Sequence, residues 1–118
     1  MASISVSDLI DVPKLIGEAL TAAKDTAANQ FPKVEDVATT CTKQLAVLAS
    51  DIAEKRRSNQ ISADEADLLL QFQKNSFRVA LLNVEGVTAL AVEATINAVM
   101  NVFIQALNTA VGAGLKLL

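Results

Sequence analysis

Apolar residues recur at steps of three and four along most of the chain, and beyond Ser7 no long stretch alternates with a period of two. Steps of three and four mark helices with one buried face, whereas a half-buried strand needs strict alternation. The strongest hairpin signals, Asn-Gly and Asp-Gly, are absent, and the prolines, Pro13 and Pro32, both fall in the first third. The pattern predicts an all-α chain forming one helical domain over residues 1–118.

It divides into four segments, near 8–29, 32–57, 63–85 and 87–111. In the first, Leu9, Val12, Ile16, Leu20, Ala23 and Ala27 share a face. Ser7 is one N-cap candidate. Asp11 is the other, and would put Pro13 in the first turn, where a missing N–H costs nothing. Pro32 disfavours a helical residue before it, so the first helix should end near Asn29 and the second start at Pro32. Val34, Ala38, Cys41, Leu45, Leu48 and Ile52 then form a heptad seam, the spacing of helices packed at shallow angles. Lys55, Arg56 and Arg57 close that helix, where the macrodipole favours cations. Ser62-Ala63-Asp64-Glu65 fits a capping box, with Ile61 as the hydrophobic staple against Ala66.

The third segment carries Leu69, Phe72, Phe77, Ala80, Leu81 and Val84, and Gly86 is its only breaker. Two architectures compete. A turn near Gly86 yields a four-helix up-and-down bundle. An unbroken helix over 63–111 would be roughly 73 Å long at 1.5 Å per residue. That is too long for a compact monomer, and such a chain would complete its core by oligomerisation. The matched segment lengths favour the four-helix bundle.

Charge sharpens the reading of the last segment. Of 23 charged residues, 20 lie in 1–78, and none lies between Ala94 and Leu115. At 100° per residue, Asn97, Asn101, Gln105 and Asn108 fall within about 80° of one another, with Glu93 beside them. The rest of the helix is apolar over roughly 220°, wider than the ~100° that a surface helix needs against one core. Such a helix could be the centre of the bundle with its amides at the wet edge. It could instead self-associate, with a buried Asn fixing the register. It is also long enough to span a membrane, although its amides, Thr95 and Thr109 would need partners there.

Composition narrows the chemistry. There is no His, Trp or Tyr and a single Cys, which removes His-based triads, His-containing zinc sites, internal disulfides and a Tyr acid. Cys41 sits on the apolar seam with no base to activate it. Asp64, Glu65 and Asp67 lack the spacing of a calcium loop and suit a first helical turn. Lys55-Arg56-Arg57 reads as a helix end, and Gly112-Ala113-Gly114 as a C-cap. Glu85 and Glu93 are isolated in an apolar region and are expected at the solvent edge, with Arg78 or Lys74 available as a partner for Glu85. Thirteen acids against ten bases, net −3, argue against nucleic acid. The first residues lack the basic and apolar regions of a secretory signal, and the lone Cys suits a reducing compartment, so a cytoplasmic location is expected.

The expectation is a non-enzymatic interaction or self-assembly protein without cofactor or metal. Its packing surface would be Val87, Leu90, Ile96, Val99, Phe103 and Leu107, with Asn97 and Asn101 setting register. Its partner would be a second copy or another helical protein. The alternative is an amphitropic protein whose last helix binds a membrane or lines a pore.

Overall fold

The computed structural model describes residues 10–111. Helix α1 runs Val12–Ala27, a 3-10 turn covers Ala28–Gln30, and α2 (Phe31–Arg57), α3 (Ala63–Leu82) and α4 (Ala89–Val111) follow. No strand occurs among the described residues. The fold is the four-helix bundle, and the continuous 63–111 helix does not form.

Local chemistry explains each boundary. The Asp11 carboxylate accepts from the Lys14 N–H at 3.2 Å, and Pro13 sits in the first turn of α1. Ser7, the other cap candidate, lies outside the described residues, as does Gly112-Ala113-Gly114. The chain reverses at Ala28, with φ 51° and ψ −119°. This is the positive-φ corner of a type II′ turn, where glycine is the usual occupant. The break is therefore made at Ala28, while Pro32 lies inside the first turn of α2.

At the far end, the Arg56 guanidinium donates to the Ile61 carbonyl at 3.0 Å, and Lys55 pairs with Asp51 at 3.0 Å. The capping box forms as the spacing implies. Ser62 Oγ accepts from the Glu65 N–H at 3.1 Å, and the Glu65 carboxylate accepts from the Ser62 N–H at 3.0 Å. Between α3 and α4, Gly86 takes φ +83°. Thr88 then caps α4, its Oγ1 accepting from the Ala91 N–H at 3.1 Å. Two bonds tie this loop to the α1–α2 corner: Lys33 Nζ donates to the Gly86 carbonyl at 3.3 Å, and the Thr88 N–H donates to Gln30 Oε1 at 3.2 Å. Both turns thus lie at one end of the bundle, with the α2–α3 turn at the other.

In cross-section the helices form a rhombus. Helices α2 and α4 each pack on all three others and face each other across the short diagonal, while α1 and α3 barely meet. Small side chains permit the close approach. Ala19, Ala23 and Ala27 are buried on α1, and Ala38, Ala46, Ala49 and Ala53 on α2. Phe77, Leu81, Ile96, Met100, Phe103 and Leu107 fill the interior.

The buried faces are shifted from the expected ones. On α1 the deepest line is Leu15, Ala19, Ala23 and Ala27, and Val12, Ile16 and Leu20 are only half-buried. On α2, Cys41 and Leu48 fall at the edge, while Thr42, Ala46, Ala49 and Ala53 are buried. Alanine lines pull helix axes together and take the centre of an interface, which a count of large apolar residues misses. The Thr42 hydroxyl is buried without a hydrogen-bond partner.

Candidate interaction surface

The apolar arc of α4 is used inside the chain. Ile96, Val99, Phe103 and Leu107 have no exposed surface and belong to the central core, together with Val92 and Met100. A wide arc suits a helix that faces three neighbours at once, and α4 does so. Val87 is half-buried in the loop, and Leu90 is 82% exposed on the first turn. Asn97, Asn101 and Gln105 are exposed and Asn108 half-buried, so the amide stripe is the wet edge of a central helix. The expected surface residues therefore do not converge into one outward patch.

The exposed apolar surface is instead concentrated on α3. Its inner face carries Ala66, Leu70, Lys74, Phe77 and Leu81. Its outer face carries Leu68, Phe72, Val79 and Leu82, exposed by 66%, 70%, 60% and 55%. With Asn75 between them, the outer residues follow steps of four, three, four and three, a heptad stripe almost opposite the buried one. Of the apolar residues that the third segment carries, Phe77 and Leu81 enter the core while Leu69 and Phe72 stay outside it, because α3 has two apolar faces and the bundle covers one. The signal was present in the sequence: at 100° per residue, Phe72 and Phe77 point in nearly opposite directions.

A polar relay fixes the middle of the outer stripe. The Arg78 guanidinium donates to both oxygens of Glu93, at 2.6 and 3.0 Å, joining α3 to α4. It also donates to Asn75 Oδ1 at 2.6 Å. The Arg78 hydrogen bond holds the Glu93 carboxyl below the usual glutamate range, with help from the charges of Arg78 and Lys74. Arg78 is correspondingly raised by that same bond. Its carboxylate partner is Glu93 rather than Glu85, which lies exposed in the loop. Thr88, Glu93 and Asn75 are the residues that sequence reasoning assigned no such role, although a Thr just before an uncharged helical run is a recognisable cap signal.

Among the described residues, an open groove between α1 and α4 gathers Asp11, Lys14 and Glu18 with Gln105 and Thr109. Cys41 lies with Asp36, Val37, Thr40, Gln44, Ser76 and Ala80 in an open groove of about 380 Å³ between α2 and α3. Burial pushes its thiol up, so it stays protonated at neutral pH. Among the described residues no three or more Cys, Asp or Glu side chains converge on a metal-sized site. Asp64, Glu65 and Asp67 stay at the start of α3, with Glu65 engaged in the cap. Compared with known family models, curated proteins and solved structures, this chain matches none.

Proposed function

We propose that the protein is a non-enzymatic helical module that acts by self-association, with the outer stripe of α3 as its docking face. The supporting observation is that stripe: large apolar side chains at heptad spacing, left in water on the side opposite the core. Full burial of one such side chain is worth about 1.5–3 kcal/mol, and the monomer leaves most of that unrealised. A heptad stripe is the surface that a second helix covers by inserting its own side chains between those residues. The absence of His and Tyr from the sequence and the protonated state of Cys41 favour a non-enzymatic role. A half-buried unpaired Cys suits a reducing, cytoplasmic setting.

The test is solution mass by light scattering from low micromolar to millimolar protein, for the native chain and for Phe72→Asp. Native protein heavier than a monomer, reduced to a monomer by the substitution with helicity intact, is the expected result. A native chain that stays monomeric throughout overturns the reading.

A second reading has its own observation. The segment Ala89–Ala110 is 22 residues long with a mean hydropathy of 1.5, enough to cross a bilayer. Insertion would require the bundle to open, since Ile96, Phe103 and Leu107 point into its core. Dye release from vesicles would favour it, and protein left entirely in the supernatant after sedimentation with vesicles would exclude it.

A further inference from the structure

We infer that two copies pair α3 against α3 in antiparallel fashion, about a two-fold axis passing beside Asn75. This rests on the reading of the α3 stripe as the docking face and adds the partner surface and its orientation.

The stripe is close to a palindrome. Leu68 and Leu82 lie seven residues to either side of Asn75, with Phe72 three before it and Val79 four after. An isologous two-fold contact needs a surface that complements itself when reversed. Antiparallel pairing sets Leu68 on Leu82, Phe72 on Val79, and Asn75 on Asn75. An amide supplies a donor and an acceptor, so two asparagines can bond reciprocally. Arg78, held by Glu93, already orients Asn75 Oδ1, leaving its second lone pair and the NH₂ group for the facing copy. A single Asn at a seam position is a known way of setting register and orientation.

Charge favours the same arrangement. Leu69, Gln71 and Ser76 flank the stripe without charge, and Arg78 is neutralised by Glu93. Parallel pairing would set the acidic first turns, Asp64, Glu65 and Asp67, against their own copies. Antiparallel pairing sets them at the other copy's loop, where Lys33 lies on the Gly86 carbonyl beside Glu85. Like-charge contact across an interface costs affinity, and the reversed order replaces it with a mixed end.

The area is sufficient. The exposed parts of Leu68, Leu69, Phe72, Val79 and Leu82 present on the order of 500 Å² per copy, at the upper end for an apolar patch on a monomer. Two such patches total about 1,000 Å², and their flanking polar side chains bring the contact to the low end of a specific interface, roughly 1,200 Å².

The experiment measures distances between nitroxide labels on Asp64→Cys or Ser76→Cys, each in the full chain with Cys41→Ser, at a concentration where light scattering shows a dimer. Residue 64 is eleven positions from residue 75, so antiparallel copies place the two labels about 33 Å apart along the axis at 1.5 Å per residue. Labels at 76 lie beside the axis and should be within about 20 Å, given interaxial spacings of 8–10 Å. Asn75→Leu should tighten the dimer while splitting the 64–64 distribution into long and short components. Short distances at both sites overturn the antiparallel order, although the docking face would stand. A dimer with neither signature that Phe72→Asp leaves intact places the contact elsewhere and overturns both. An unsplit distribution in Asn75→Leu removes Asn75 from the axis and overturns the proposal. A monomer that co-sediments with phosphatidylglycerol vesicles overturns self-pairing in favour of a membrane.

Discussion

Helices α1 and α3 hold equivalent places at the outer corners of the rhombus, and each buries one face against α2 and α4. Their outward faces differ. On α1 the exposed residues are Pro13, Lys14, Gly17, Glu18, Thr21, Lys24, Asp25 and Thr26; on α3 they include Leu68, Phe72, Val79 and Leu82. Corner position therefore does not require an apolar outer face, since the chain builds one corner without it. Scattered exposed apolar residues are ordinary on a protein surface, but these lie in one heptad line on one helix. The contrast shows that a corner position in this bundle does not account for the apolar outer face of α3.

The comparison is broken most directly by two phenylalanines on the same helix. Phe77 is 1% exposed and Phe72 is 70% exposed. Phe77→Ala should cost about 3–5 kcal/mol in urea unfolding at low concentration, the usual loss for a core Phe. Phe72→Ala under the same conditions should stay within about 0.5 kcal/mol of the native chain. Equal losses would mean that the outer face is part of the monomer's core.

The inner face of α1 gives the next largest effect. Ala23 has no exposed surface. Ala23→Leu should destabilise by about 1–3 kcal/mol through overpacking, whereas the exposed Thr21→Leu should be nearly neutral. Thermal unfolding of the pair shows whether alanine packing brings the helix axes close.

Each corner also has its own fastening. At the α1–α2 junction, Ala28→Gly should raise stability by up to about 1 kcal/mol, because glycine adopts positive φ without steric cost. An unchanged or lower melting temperature would argue against the type II′ corner. On the α3 side, Glu93→Gln should cost no more than about 1 kcal/mol, since the ion pair is partly solvated and screened. Folding lowers the Glu93 carboxyl, so its contribution is present above the unfolded glutamate value of about 4.3 and fades as pH falls through the lower folded value. Urea midpoints of the native chain and the variant should differ at neutral pH and merge in acid.

Much of the fold was legible along the chain because it depends on local chemistry. Asp11 with Pro13, Ser62 with Glu65, and the long uncharged run of α4 all fell where sequence reasoning placed them. The surface was legible only in part. The amide stripe of α4 is the wet edge of a central helix, one of the readings its spacing allowed. The expected packing residues Ile96, Val99, Phe103 and Leu107 went to the chain's own core, since apolar area does not say which neighbour will cover it. Glu93's pairing with Arg78 was missed because the two residues lie on different helices and meet only once α3 and α4 pack.

Sequence alone determined the helical class, the Ser62–Glu65 capping box, the absence of histidine and tyrosine chemistry, and a last helix too apolar to lie on a surface. These follow from side-chain identity and from contacts within a few residues of the backbone. Tertiary structure decided that the chain turns at Gly86, that alanine lines on α1 and α2 are buried at the centre of their interfaces, and that one apolar face of α3 is left uncovered. Those outcomes depend on how many helix faces compete for a single interior, and a four-helix rhombus has room for only one face of each corner helix.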